Sequence, residues 1–395
     1  MRKMSLCLVV FGLLVFAGLL QAQQVCPGLP YVANTPEDEL MQAVNGAEKP
    51  EEQVAALDKY AQAHADAKFM PCADEYYTMA YLKLNNYDKV VEYGEKGLAG
   101  KYKDTMLVLN TLKGYVGSGK VADSAFDIID AAPELITQES KPARPPNVSD
   151  ADWQKTLDES AGQAKDELAY VVYAFLQLVP RVPDPNKRIV QLDKFVKTFP
   201  DDAAKNAGQV NFDYFTAYRM ANNAEKAIEY GEKTIAADPN NLEAYNFLAY
   251  AYAIGRTNPE KATDYAKKSI DLAQQLKKPE GLSDDQFKQA QNNELGMAHL
   301  SLGYVSFTKA ATSKSKKLGP AIEELKTAAD LLAGNPELEG QALYYLAYAY
   351  ESGYPANHRG AMEALTKASS LQSSWKSQAD ELLSKVRKAA SQASE

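Results

Sequence analysis

The chain has 395 residues, 46 % of them hydrophobic and 24 % charged, the balance of a polypeptide that buries a core, which excludes wholesale disorder. Its 43 Lys and Arg face 52 Asp and Glu, a net charge of -9 with no basic block, which argues against nucleic acid as a partner because phosphate neutralisation needs clustered cations. Three His and three Cys, widely spaced, leave little room for metal or nucleophile chemistry.

Arg2 and Lys3 precede an uncharged run from Leu6 to Leu20, and Gln21-Ala22-Gln23 follows. A basic start, an apolar stretch shorter than the roughly 20 residues of a membrane span, and a small residue before a polar one describe a secretory signal over residues 1–22, cut after Ala22. Cys26 follows Gln24-Val25, not the small residues a lipoprotein site requires. No later segment is apolar enough to span a bilayer, so the mature chain is expected to be soluble, periplasmic or secreted. Cys7 leaves with the signal. In an oxidising compartment Cys26 and Cys72 are expected to form a disulfide, the alternative being two reduced, separately buried thiols.

Apolar periodicity and turn signals predict helix pairs over 38–64, 73–98, 105–132, 151–199, 207–236, 242–274, 285–333 and 338–371, then a closing helix over 373–390. One interruption stands out. The stretch 139–152, ESKPARPPNVSDAD, carries Pro142, Pro145 and Pro146 and is expected to be a connector. It either divides an N-terminal array (23–138) from a C-terminal one (153–395) or is a long loop within one superhelix.

The chain also repeats itself. AYLKLNNYDKVVEYGEKGL from Ala80 aligns with AYRMANNAEKAIEYGEKTI from Ala217, and LAYAY occurs at Leu248 and again at Leu346. Leu57-Asp58-Lys59-Tyr60 matches Leu192-Asp193-Lys194-Phe195 upstream. Tyr81 to Tyr115 and Tyr218 to Tyr252 are each 34 positions, a period typical of helix-pair arrays. Small residues Ala217, Ala227 and Ala236 sit where two helices approach, and Pro239 stops the second helix.

Ala, Tyr, Ala and Pro at these positions resemble the tetratricopeptide repeat. The resemblance is carried by the units from Gly208, Leu242 and Gly340, through Tyr218 and Ala227, Tyr252 and Ala262, and Tyr350 and Ala361. It implies an all-α superhelix, a solenoid of about eight helix-turn-helix repeats with a C-terminal capping helix, whose first helices line a concave groove.

Other candidate chemistry reads as structural. Gly114 to Lys120, GYVGSGK, satisfies G-x-x-x-x-G-K, but Val121 stands where magnesium needs Ser or Thr, and Met106 to Lys113 continues a helix rather than a strand. No nucleotide is expected. His64, His299 and His358 lie in different repeats, outside any zinc-ligand spacing. Lys314 to Lys317, KSKK, is a short basic turn, and Asn147-Val148-Ser149 is a glycosylation sequon only in a eukaryote. With no catalytic constellation, neither an enzyme nor a cofactor is expected.

The resemblance implies a scaffold or adaptor that holds a protein or peptide partner in its groove. The alternative is a groove for a small solute, glycan or cell-wall fragment. On the family template Phe212, Tyr250, Tyr344 and Tyr348 fall on the concave face, with Arg219 one step after Tyr218, so an extended apolar or Pro-rich partner segment is expected. The positions that family members use to grip a C-terminal carboxylate with Lys hold Glu75 and Met79, Phe212 and Thr216, Asn246 and Tyr250, and Tyr344 and Tyr348. Lys is absent from all of them, so chaperone-tail binding is not expected.

Overall fold

A computed structural model describes residues 32–100, 104–313 and 317–392. The expected signal over 1–22, Cys26 and the basic turn at Lys314 to Lys316 lie outside the described residues. The chain divides into two compact units, one up to Leu178 and one from Val179.

Unit 1 contains α1 (Pro36–Gly46), α2 (Pro50–Ala63), α3 (Met70–Lys83), α4 (Tyr87–Ala99), α5 (Thr105–Ser118), α6 (Asp123–Glu139) and α7 (Asp150–Leu178). Unit 2 begins with a 3₁₀ turn, Val179–Arg181, and continues through α8 (Pro185–Thr198), α9 (Pro200–Lys205), α10 (Ala207–Met220), α11 (Ala224–Ala237), α12 (Leu242–Gly255) and α13 (Pro259–Gln274). It closes with α14 (Asp284–Thr312), α15 (Gly319–Leu331), α16 (Pro336–Glu351), α17 (His358–Ser370) and α18 (Lys376–Gln392). Within each unit the helices pack chiefly on their chain neighbours, as in an array of helix pairs. The expected all-α class and its pairs are present. The short α9, between α8 and α10, was not anticipated.

The turns inside the pairs follow from single residues. Asn85 and Asn222 take left-handed backbone, φ 54° and 55°, which Asn tolerates better than most side chains. The next residues, Asn86 and Asn223, accept hydrogen bonds from the backbone N–H of Lys89 and Lys226, capping α4 and α11. Asn241, Asn258, Asn335 and Asn357 cap later helices in the same way.

The Gly-rich stretch from Gly114 is the end of α5, where Gly119 (φ 70°) closes the helix. A Cβ on Gly114 would sit 2.8 Å from Val90 Cγ1, so this glycine serves close packing of α5 on α4.

The Pro-rich stretch does not separate the units. The C-terminal half of α7 packs on α5 and α6, with Phe175 edge-on to Phe126 at 6.0 Å. Residues 140–149 are therefore a loop inside unit 1, and the boundary falls after Leu178 instead. The physical reason is burial: Val171, Val172 and Phe175 complete a core that α5 and α6 leave open.

Candidate functional site

In unit 2 the aromatic side chains of α12 and α16 meet. Tyr250 projects from α12 and is half-buried against the cluster built by α14 to α18. Gln341 Nε2 on α16 donates to its hydroxyl at 2.7 Å. One turn further along α16, Tyr344 and Tyr348 pack edge to face at 5.2 Å. Trp375, just before α18, lies 5.3 Å from Tyr344 and 5.6 Å from Tyr345. Tyr345 in turn packs edge-on to Tyr304 of α14 at 4.8 Å, and Arg256 Nη2 donates to the Tyr304 hydroxyl at 3.1 Å.

Spacing explains this face. Residues 341, 344, 345 and 348 recur at helical three- and four-residue intervals, which puts them on one stripe of α16. The opposite stripe, Ala342, Leu346 and Ala349, is core.

The five residues expected in the groove do not all join this assembly. Tyr344 and Tyr348 do, and Tyr348 is 40 % exposed. Tyr250 joins through Gln341, but as a ring packed on the next helices. Phe212 belongs instead to the cluster of α10 to α13, 5.8 Å from Phe215. Arg219 is held by Glu243 at 2.5 Å and lies over the Phe215 ring at 5.3 Å. Gln341, Tyr345 and Trp375 were not singled out from the sequence. For Gln341 the available signal was its helical spacing to Tyr344 and Tyr348.

The chemistry of this face is neutral. Burial, followed by the bond to Tyr348, pushes the Tyr344 phenol up to about 12, and burial does the same for Tyr345. Burial also raises Tyr250, against the bond from Gln341. These hydroxyls stay protonated across the physiological range and act as hydrogen-bonding groups on apolar rings.

The histidines are dispersed, with Nδ1 of His299 2.6 Å from Glu324 and that of His358 3.0 Å from Glu351. No group of His, Cys, Asp and Glu that could hold a metal occurs among the described residues. No described helix is long and apolar enough to cross a membrane.

No protein-family model matches the chain, and no curated protein matches it significantly. Solved structures do resemble it. The C-terminal part of a TPR repeat-containing protein from Cytophaga hutchinsonii is 17 % identical, with a TM-score of 0.34 over 75 % of this chain and 95 % of that one. Yeast Tom70 is 14 % identical, with a TM-score of 0.28 over 90 % of this chain and 95 % of its own. The class itself, an all-α array of helix pairs, is defined by the chain's own helices.

Proposed function

We propose that this chain is a non-enzymatic scaffold, exported by its first 22 residues, which captures an extended apolar or Pro-rich segment of a protein partner on the α12–α16 face. The reading is carried by Tyr348, a large ring left 40 % exposed against Tyr344, which itself packs on Trp375. Such a surface offers rigid apolar area with hydroxyls that can meet a partner's backbone, and Tyr and Trp are enriched in binding hot spots for that reason. Helix pairs that couple mainly to their neighbours can present such a surface without a rearrangement.

The test is affinity capture from the native source by the wild type and by Tyr348→Ala. A partner held on this face is recovered by the wild type and weakened by about 1–2 kcal/mol in the variant. Equal recovery by both proteins places the binding surface elsewhere. Export is tested on the same preparation: the N-terminal residue of the mature chain should be Gln23.

A further inference from the structure

The internal duplication runs further than its strongest matches. With a constant spacing of 137 positions, Tyr77, Glu95, Tyr115 and Gly119 fall on Tyr214, Glu232, Tyr252 and Arg256. The structure keeps this register. Gly119 and Arg256 both take left-handed backbone at the end of their helices, and both Tyr115 and Tyr252 donate to their glutamates. Unit 2 is therefore an internal reference for what α4, α5 and α6 of unit 1 would hold had they not diverged.

In unit 2 the cleft between α11 and α13 is full. Tyr265 Oη donates to Glu232 Oε2 at 2.8 Å, and Lys261 Nζ donates to Oε1 at 2.8 Å. The Tyr265 ring lies edge-on to Tyr245 at 5.5 Å. At the matching positions unit 1 has Ile128 for Tyr265, Ser124 for Lys261 and Val108 for Tyr245. Ala131 also replaces Lys268. The result is a pocket of about 470 Å³ between α4, α5 and α6, with Leu98, Val108, Ile128 and Leu135 in its lining.

The acids were kept while the rings and cations were lost. Glu95, Asp127 and Glu134 border the pocket, where unit 2 has Glu232, Asp264 and Asp271. Among the described residues no Lys or Arg lines it. Glu95 receives the Tyr115 and Ser124 hydroxyls, and no cation among the described residues pairs with it. What unit 1 lacks is the pair of rings whose places Val108 and Ile128 take, and the ammonium at Glu95.

We infer that this pocket binds a compact ligand that carries an aromatic ring a few bonds from a protonated amine. The ring would occupy the place of the Tyr265 side chain, and the amine that of Lys261. The volume is within the range of small-molecule sites, and a carboxylate flanked by apolar wall strengthens an ammonium contact relative to open water.

The test uses the full chain and three small molecules: phenethylammonium, 3-phenylpropionate and butylammonium. Binding is followed by isothermal titration and by the methyl NMR signals of Ile128 and Leu135. Phenethylammonium should bind saturably and move both methyls, with the other two at least about tenfold weaker. Ser124→Lys with Ile128→Tyr, which restores the groups of unit 2, should fold and lose binding by at least about tenfold. Should that variant fail to fold, Glu95→Gln is the check, and the preference for ammonium over carboxylate should shrink to under about threefold. The inference is overturned by no saturation below about 10 mM, by equal binding of the carboxylate, or by variants that bind as the wild type does.

Discussion

Asp213 on α10 is only 3 % exposed, and its Oδ2 has no hydrogen-bond partner. The buried Arg188 nearby spends its Nε and Nη2 donors on the Val182 carbonyl, at 3.1 and 2.7 Å. Burial pushes the Asp213 carboxyl up to about 7, against the pull of Arg188. An unfolded Asp titrates near 4, so the folded chain holds this proton more tightly. Its contribution to stability is complete below about pH 4 and is lost as pH rises through 7. Glu75 follows the same sign, pushed to about 9 by burial with Asp104 and Glu139 adding to it. Asp213→Asn should therefore melt close to the wild type at about pH 4 and above it at pH 8, by about 2 °C or more, with the gap opening between the two. Thermal melts across this range check the sign, and a gap that is constant with pH would contradict it. Asp213 looks like an ordinary surface acid in the sequence. Its burial depends on α8, whose contact with α10 no local pattern announces.

At the scale of elements, small residues set how closely helices approach. Gly303 on α14 faces α15, where an added Cβ would lie 2.6 Å from Leu325 Cγ and 3.1 Å from the Leu325 backbone nitrogen. The backbone atom cannot turn aside. Gly303→Ala should then destabilise by about 1–3 kcal/mol through overpacking. Gly162 is the contrasting case, inside α7 with nothing within 4 Å of its Cβ position. Gly162→Ala should stabilise by about 0.5–1 kcal/mol, the gain in helix propensity. Denaturant unfolding of the two variants checks both signs, and the same sign for both would show that approach distance is not what matters. The helices were legible because their periodicity, Asn caps and Pro starts are local. Their full lengths were less so: α7 extends over 29 residues, with four-residue pairs such as Gln154 with Asp158 and Gln163 with Glu167 along its exposed part, a kind of support that is weak and leaves little pattern.

Across the whole molecule, the proposed binding face and the proposed disulfide make separate predictions. Tyr250 is packed on α14 to α18 and bonded by Gln341, so Tyr250→Ala should cost about 2–4 kcal/mol of folding stability. Tyr348 is much more exposed, and Tyr348→Ala should shift the melting midpoint by about 2 °C or less. Tyr348 is thus the position that reports binding apart from folding. If Tyr348→Ala melts as early as Tyr250→Ala, its ring is core and the face is not available to a partner. Cys72 is fully buried at the start of α3. A bridge to Cys26 would stabilise the mature chain by about 4 kcal/mol through loop entropy, an effect confined to the first helices because such arrays couple mainly to neighbours. Thiol titration of the unfolded, non-reduced mature protein should find no free thiol, and two per chain would end the idea.

The sequence by itself determined the helix pairs, their turns and the repeat, because each depends on residues within about one period of one another: Asn85 and Asn86, Asn222 and Asn223, Pro239, the YGEK pair. It also placed Tyr344 and Tyr348 together, since four residues on a helix are neighbours in space. Only the tertiary structure decided which rings are surface and which are core. Tyr250 and Tyr348 occupy the same position of their repeats, yet one packs on the following helices and the other is left open near the C-terminal end of the array. The pocket beside Glu95 was hidden for the same reason. Ser124, Ile128 and Val108 are unremarkable along the chain, and their meaning lies in the space they leave between three helices, which a sequence read one element at a time does not contain.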